Sequence, residues 1–304
     1  MDLLSDTLLS LQPNGSRYFP SELAAPWGFS TPDGPASYHV VLEGDCEMLV
    51  EDLEPIDLHP GDVALTPGGA ACAFRSDPRA MTPSIGSLLE SVDDDGILRR
   101  RGDGPFTHLV CGTIDFDLAV PHPLLDALPD QLVVRSIDCK RAPWLQQTLD
   151  AIAFEARCTR PGSSAAMSYL ACVLFVRVVR EHLRRNAPDG PGLLRALEDP
   201  HVAPALEVVH AHPGRDWTVA KLADQVGLSR SAFADRFSDV MGEPPMEYVT
   251  RWRMREAARM LRTGSAPLIE VAEQVGYSSS ASFGRRFKHE MGTTPGVYRE
   301  AGRL

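Results

Sequence analysis

Between residues 15 and 135 the apolar positions fall in short runs, SYHVVLEG, CEMLVED, DVALTP, THLVCGTIDF and LVVRSI, each closed off by glycine, proline or aspartate. Runs of that length between turn-forming residues predict an antiparallel β-sandwich or barrel. Further along, the pattern takes a helical period. WLQQTLDAIAFEA and SAAMSYLACVLFVRVVREHL predict two helices joined by TRPGSS, with more apolar face than one barrel needs to cover. The pair reads as a dimerisation element, and NAPDGPG after it reads as a linker. The expected architecture is α+β and multidomain: an antiparallel β-barrel domain over residues 1–137, a helical dimerisation and linker segment over 138–192, and an all-α domain over 193–304.

The last third repeats itself. Ala223, Gln225, Val226 and Gly227 recur as Ala272, Gln274, Val275 and Gly276. One residue later in register, Phe233, Phe237, Met241, Gly242, Pro245 and Tyr248 recur as Phe283, Phe287, Met291, Gly292, Pro295 and Tyr298. Each copy predicts a short helix, a turn at the glycine, a serine able to cap the next helix, and a second helix with phenylalanines at i and i+4. That is the grammar of a helix-turn-helix, expected at residues 218–241 and 267–291 with a linker helix at 245–262. Such a linker, about 26 Å long over Met246 to Arg262, can hold two readers near major-groove turns that lie about 34 Å apart.

Charge sharpens this picture. The net charge of −11 argues against a generic nucleic-acid binder, but residues 215–304 carry 14 Lys+Arg against 11 Asp+Glu, a net of +3, which leaves −14 for the first 214 residues. The second helices offer Arg230, Arg236, Arg285, Arg286 and Lys288, and the segment YVTRWRMREAARMLRTG between the repeats is itself basic. The competing reading is a protein-interaction module of two helical hairpins without DNA affinity, favoured if binding to promoter fragments showed no sequence preference and no salt slope.

TVAKLADQVGLSRSAFADRF, the helix ending in AARMLR, IEVAEQVGYSSSASFGRRFKHEMG and the closing TPGVYR resemble the DNA-binding domain of AraC/XylS-type regulators. The resemblance implies sequence-specific binding to double-stranded promoter DNA, two recognition helices per chain, and contact with RNA polymerase, commonly as an activator. In that register Ser231 and Asp235 on the first helix, and Ser280, Ala281 and Arg285 on the second, fall where base edges are read. Arg285 can pair bidentately with a guanine, and Asp235 can accept from a cytosine amino group. Ser229, Arg230, Arg251, Arg253, Arg286 and Lys288 suit phosphates, which add affinity without reading sequence.

GDVALTPGGAAC fits the second motif of the cupins, with Cys72 where a metal-binding histidine would stand. Of the first motif His39 survives, without its paired histidine and glutamate, so a full cupin metal site is not evident. GDVALTPGG, HLVCGTIDFD, HPLLDALPD and WRMREAARML together resemble the cupin-sensor subgroup of AraC-type regulators, a likeness that covers nearly the whole chain. Strand alternation puts Cys72 on one face with Ala70 and Phe74, and allows a cluster of His39, Cys72 and Cys111 that excludes His108 unless the strand bulges. Three readings of that cluster stay open: core packing, a redox or metal sensor, and a small-ligand pocket. The remaining cysteines, 46, 139, 158 and 172, have no zinc-like spacing.

The sequence thus predicts a DNA-binding regulator, not an enzyme, whose barrel senses a redox, metal or small-molecule signal, with a metal ion in the barrel an open possibility. The rival is a cupin metalloenzyme with a helical appendage. The N-terminus has neither a basic segment nor a cleavage site, and the greasiest run is broken by Arg177 and Arg180, so a cytoplasmic homodimer with no membrane contact is expected.

Overall fold

The computed structural model describes every residue except 1, 12, 91, 94, 117–121, 137–142, 159, 187–189 and 302–304. Cys139, the expected boundary at residue 137 and part of the NAPDGPG linker lie outside the described residues. The chain compacts into two units, one of residues 11–117 and 128–186, the other of residues 1–10, 118–127 and 187–304.

In the first unit the short apolar runs form two sheets. One has the order β10(Leu132–Val134), β6(Val63–Thr66), β3(Ala36–Glu43), β9(Phe106–Phe116), β1(Pro13–Ala24), β8(Leu98–Arg100). The other runs β2(Gly28–Thr31), β7(Cys72–Arg75), β4(Cys46–Val50), β5(Ile56–Leu58). Among the described residues the strands pair antiparallel except for a short parallel match of β1 with β8 that starts at Ser21 and Leu98, and an isolated parallel bridge joins Ser30 to Ser84. Trp27, Phe29, Met48, Phe74 and Leu109 fill the space between the sheets, and Cys46, Cys72 and Cys111 pack among them. Gly69 turns the chain before β7 at φ +75, where a Cβ would sit 1.8 Å from the carbonyl oxygen of Gly34, so the turn admits no side chain.

The helical pair is not a separate segment. α4(Pro143–Ala156) packs on β3 and β9, and α5(Ser163–Arg185) on β1, β9 and β10, so both belong to the body of the sheets. The reason is the apolar stripe of α5: Met167, Ala171, Leu174, Phe175, Val178 and Val179 are buried, with Phe175 edge-on to Phe116 at 4.9 Å. The same stripe makes α5 long and apolar enough to cross a bilayer by length and composition, which the sequence was expected to exclude. Its burial against the sheet is the ordinary fate of such a helix in a folded core.

The second unit is helical: α6(Leu193–Glu198), α7(Val202–Ala211), α8(Val219–Gln225), α9(Arg230–Met241), α10(Pro245–Thr263), α11(Leu268–Gln274), α12(Ser280–Met291) and α13(Pro295–Ala301). To these the chain adds α1(Leu3–Ser10), which packs on α7 with the Leu3 amide donating to Glu207 at 3.1 Å, and α3(Pro123–Ala127), which packs on α6. Neither addition has a signal in the local pattern. Each repeat is a helix-turn-helix. Ser229 accepts from the Ala232 amide and Ser279 from the Ser282 amide, both at 3.2 Å, so each serine caps its recognition helix. Gly242 and Gly292 end those helices in the left-handed conformation, at φ 77 and 71.

Candidate nucleic-acid interface and barrel cavity

The phenylalanines bury one face of each recognition helix, and the residues between them are left outside. Phe233 and Phe237 on α9, and Phe283 and Phe287 on α12, are at most 1% exposed. Ser231 and Asp235, and Ser280, Ala281 and Arg285, are all exposed. Arg285 makes no ion pair among the described residues, so its whole fork is available to a guanine edge. Arg230 and Lys288 are exposed in the same way, and Ser229 is exposed at its cap.

The other basic residues have internal engagements. Arg286 pairs with Glu290 at 2.8 Å. Arg251 pairs with Glu243 and lies over the ring of Tyr248 at 5.7 Å. Arg253 donates through Nε to the carbonyl of Pro213 at 2.8 Å and through Nη2 to that of Arg215 at 2.7 Å. Arg236 grips Asp199, with Nε 3.0 Å from both carboxylate oxygens. Of the six residues expected at phosphates, Arg251, Arg253 and Arg286 are therefore held by the protein, while Ser229, Arg230 and Lys288 are open. Sequence reasoning passed over Asp199, which also accepts from the amides of His201 and Val202 at the start of α7. The aspartate-proline pair just ahead of an apolar helical run was the available signal.

In the barrel, His39 and Cys111 sit opposite each other in the β3–β9 register, and Cys72 Sγ is 3.8 Å from His39 Nε2. The cluster expected from alternation is thus brought together, and His108 faces away from it, 3.3 Å from Glu43. His39 Nε2 is 2.9 Å from the Ser37 hydroxyl, which in turn meets Thr66 at 2.7 Å, and Cys72 Sγ is 3.0 Å from the Thr31 hydroxyl. Burial pushes the His39 imidazole down to about 3, so it is neutral at physiological pH. Burial likewise pushes the thiols of Cys72 and Cys111 up, away from the thiolate that redox chemistry and metal binding need.

A cupin metal needs several nitrogen and carboxylate donors. Among the described residues no group of three His, Cys, Asp or Glu side chains converges to hold an ion. One imidazole turned to a serine and two protonated thiols do not fit a cupin metal. What the cluster does border is a cavity of about 590 Å³ lined by residues that include Tyr18, Phe19, Ser37, His39, Ile85 and Cys111. Its walls are mainly apolar. His39 Nδ1 is buried and has no hydrogen-bond partner.

Residues 2–184 match the Cupin family and residues 222–301 the Helix-turn-helix domain family. The chain is 39% identical over 264 residues to an AraC-like transcription regulator of Streptomyces lividans, covering 86% of each chain. It is 30% identical to the HTH-type transcriptional regulator AlkR of Acinetobacter baylyi over 99% of both chains. With the RCS-specific HTH-type transcriptional activator RclR of Escherichia coli it shares 29% identity, over 99% of this chain and 98% of that one. The chain belongs to the AraC-type transcription regulators with an N-terminal cupin domain. The regulator binds DNA sequence-specifically through its helix-turn-helix domain, in which α9 and α12 are the second helices of the two units. The three relatives are transcription regulators, which does not favour the metalloenzyme reading.

Proposed function

We propose that this cytoplasmic regulator acts as a homodimer whose cupin barrel takes a small, mainly apolar effector and whose DNA-binding unit then activates transcription through contact with RNA polymerase. The single observation that carries the effector class is the mainly apolar cavity of about 590 Å³, whose lining residues include His39 and Ser16, each with a buried polar atom that has no partner. Mainly apolar walls and a neutral imidazole favour a ligand with an apolar body, and Arg17 and Asp33 are the charged residues of the lining. Binding would shift populations between DNA-binding arrangements, with no covalent step. The raised thiols of Cys72 and Cys111 weigh against the redox alternative.

Base reading is assigned to Ser231, Asp235, Ser280, Ala281 and Arg285, and phosphate contact to Ser229, Arg230 and Lys288. Dimerisation is assigned to the outer faces of α4 and α5, where Phe154 and Tyr169 are 57% and 75% exposed beside Val173. The test is operator binding by the full chain on the DNA upstream of its own gene, after peroxide treatment, after chelation, and with a panel of apolar compounds. The expected result is indifference to peroxide and chelator, a response to one or more compounds, and loss of that response in His39→Phe and not in Cys72→Ala or Cys111→Ala. A response to peroxide that Cys72→Ala abolishes would overturn the effector class.

A further inference from the structure

Arg253 stands where the cores of the two helix-turn-helix units meet on α10. Its neighbour Trp252 stacks on His210 of α7 at 3.5 Å, in the first core, while Met254 is buried in the second core with Val271, Phe283 and Phe287. Between them the Arg253 guanidinium reaches two carbonyls, Pro213 at 2.8 Å and Arg215 at 2.7 Å, in the turn that joins α7 to the first unit.

That turn also touches the second unit. A Cβ at Gly214 would lie 2.3 Å from the carbonyl oxygen of Gln274. A Cβ at Gly276, the turn glycine of the second unit at φ +83, would lie 2.8 Å from the Gly214 carbonyl oxygen and 3.0 Å from Arg253 Nη2. One guanidinium therefore bonds the linker helix to the entry of the first unit and lies against the turn glycine of the second, where a side chain would not fit. A planar fork with fixed donor directions can span two carbonyls two residues apart; a lysine ammonium is a point charge and cannot hold the same pair.

We propose that Arg253 is a positioning residue that fixes the two recognition helices relative to one another, and so sets the base-pair spacing of the operator this chain prefers. Each base pair inserted between two groove segments moves the second by about 3.4 Å and turns it by about 35°, so a rigid joint discriminates sharply between spacings and a loosened one does not. A phosphate contact at Arg253 would behave differently. It would change the salt dependence and leave the spacing preference alone.

The experiment uses the full chain and an operator recovered by selection from random duplexes, with derivatives carrying one base pair more or fewer between the two contact segments. Affinities are measured over a salt series for wild type, Arg253→Lys, Arg253→Gln and Gly276→Ala. The last retains the charge and crowds the same junction. Circular dichroism fixes a temperature at which each variant is folded, and Arg253→Lys carries the test if the others are not.

The expected result is that Arg253→Lys loses about tenfold on the native spacing, as much as Arg253→Gln, with an unchanged salt slope. In both, and in Gly276→Ala, the penalty for altered spacing shrinks relative to wild type. Wild-type affinity in Arg253→Lys together with a salt slope lowered by about 1 in Arg253→Gln would make the residue a phosphate contact and overturn the proposal. An unchanged spacing preference in Arg253→Lys would overturn it equally.

Discussion

In the first helix-turn-helix unit the rings of Phe233 and Phe237 lie 5.6 Å apart at 54°, and Tyr248 closes on Phe237 edge-on at 5.9 Å. In the second, Phe283 and Phe287 lie 5.5 Å apart at 54°, and Tyr298 closes on Phe287 at 5.4 Å. Leu228 donates to the Ala223 carbonyl at 3.0 Å in one turn, and Tyr277 to the Ala272 carbonyl at 2.8 Å in the other. The outward faces are less alike. Where α12 presents Arg285 and Lys288, α9 presents Arg230, Ser231 and Asp235, although Arg236 and its equivalent Arg286 are both held by carboxylates, Asp199 and Glu290. The repeat thus keeps its geometry while the proposed base readers differ, long and charged at Arg285 in the second unit, short or acidic at Ser231 and Asp235 in the first, a proposed division of labour.

The comparison breaks first if the two scaffolds are unequal in strength. Phe237→Ala and Phe287→Ala each remove a fully buried ring and are expected to destabilise the chain by about 3–5 kcal/mol, to a similar degree, in urea unfolding. A cost confined to one of them would show that the copies are alike in shape only. Next comes the Arg236–Asp199 pair. Asp199→Asn leaves Arg236 without its carboxylate and weakens the start of α7, an expected loss of stability smaller than that of the phenylalanine variants because Arg236 is exposed and the pair is screened by solvent.

That loss has a pH signature. Desolvation raises the Asp199 carboxyl, but the hydrogen bonds from Arg236 and from the Val202 and His201 amides outweigh it and hold it below its ordinary value of 3.8. A carboxyl depressed in the folded state adds stability above its unfolded value and gives it up as pH falls through the folded one. The gap in stability between wild type and Asp199→Asn should therefore be full at neutral pH and close at pH values below 3.8. A gap independent of pH would remove the ion pair from the explanation.

The division of labour itself is sharpened by base preference. Arg285→Ala is expected to cost about 1–3 kcal/mol in operator affinity and to relax selection at one base pair, while Asp235→Ala relaxes a different position by less. Equal losses would restore symmetry to the readers. The smallest effects belong to the caps: Ser229→Ala and Ser279→Ala should each lower stability by about 1 kcal/mol in thermal unfolding, and by the same amount.

The equivalence of the two units was legible because helix caps, turn glycines and buried phenylalanines are local and repeat in register. The barrel was legible for a similar reason, since Cys72, Phe74 and Cys111 alternate on faces that the strand period dictates. What the sequence concealed is long-range. Arg253 looks like any basic residue on a basic helix until Pro213 and Arg215 turn their carbonyls to it, and Arg251 and Arg286 find carboxylates at Glu243 and Glu290. The packing of α5 on the sheet, and of α1 on α7, depends on partners far along the chain, which no periodicity encodes.

The sheet order has a consequence for how the chain is made. β1 pairs with β9 in the register Ser16 to Ile114, and α1 waits for α7, with Leu3 bonded to Glu207. At about 5–20 residues per second, a ribosome exposes β1 for roughly 5–20 s before its partner strand exists. An unpaired strand edge is a template for the wrong neighbour during that interval, whereas the helical repeats close local contacts almost as fast as they emerge. Recombinant yield of the intact chain should then be governed by the barrel, improving when translation is slowed or a chaperone covers the first hundred residues, while the last third expresses well by itself.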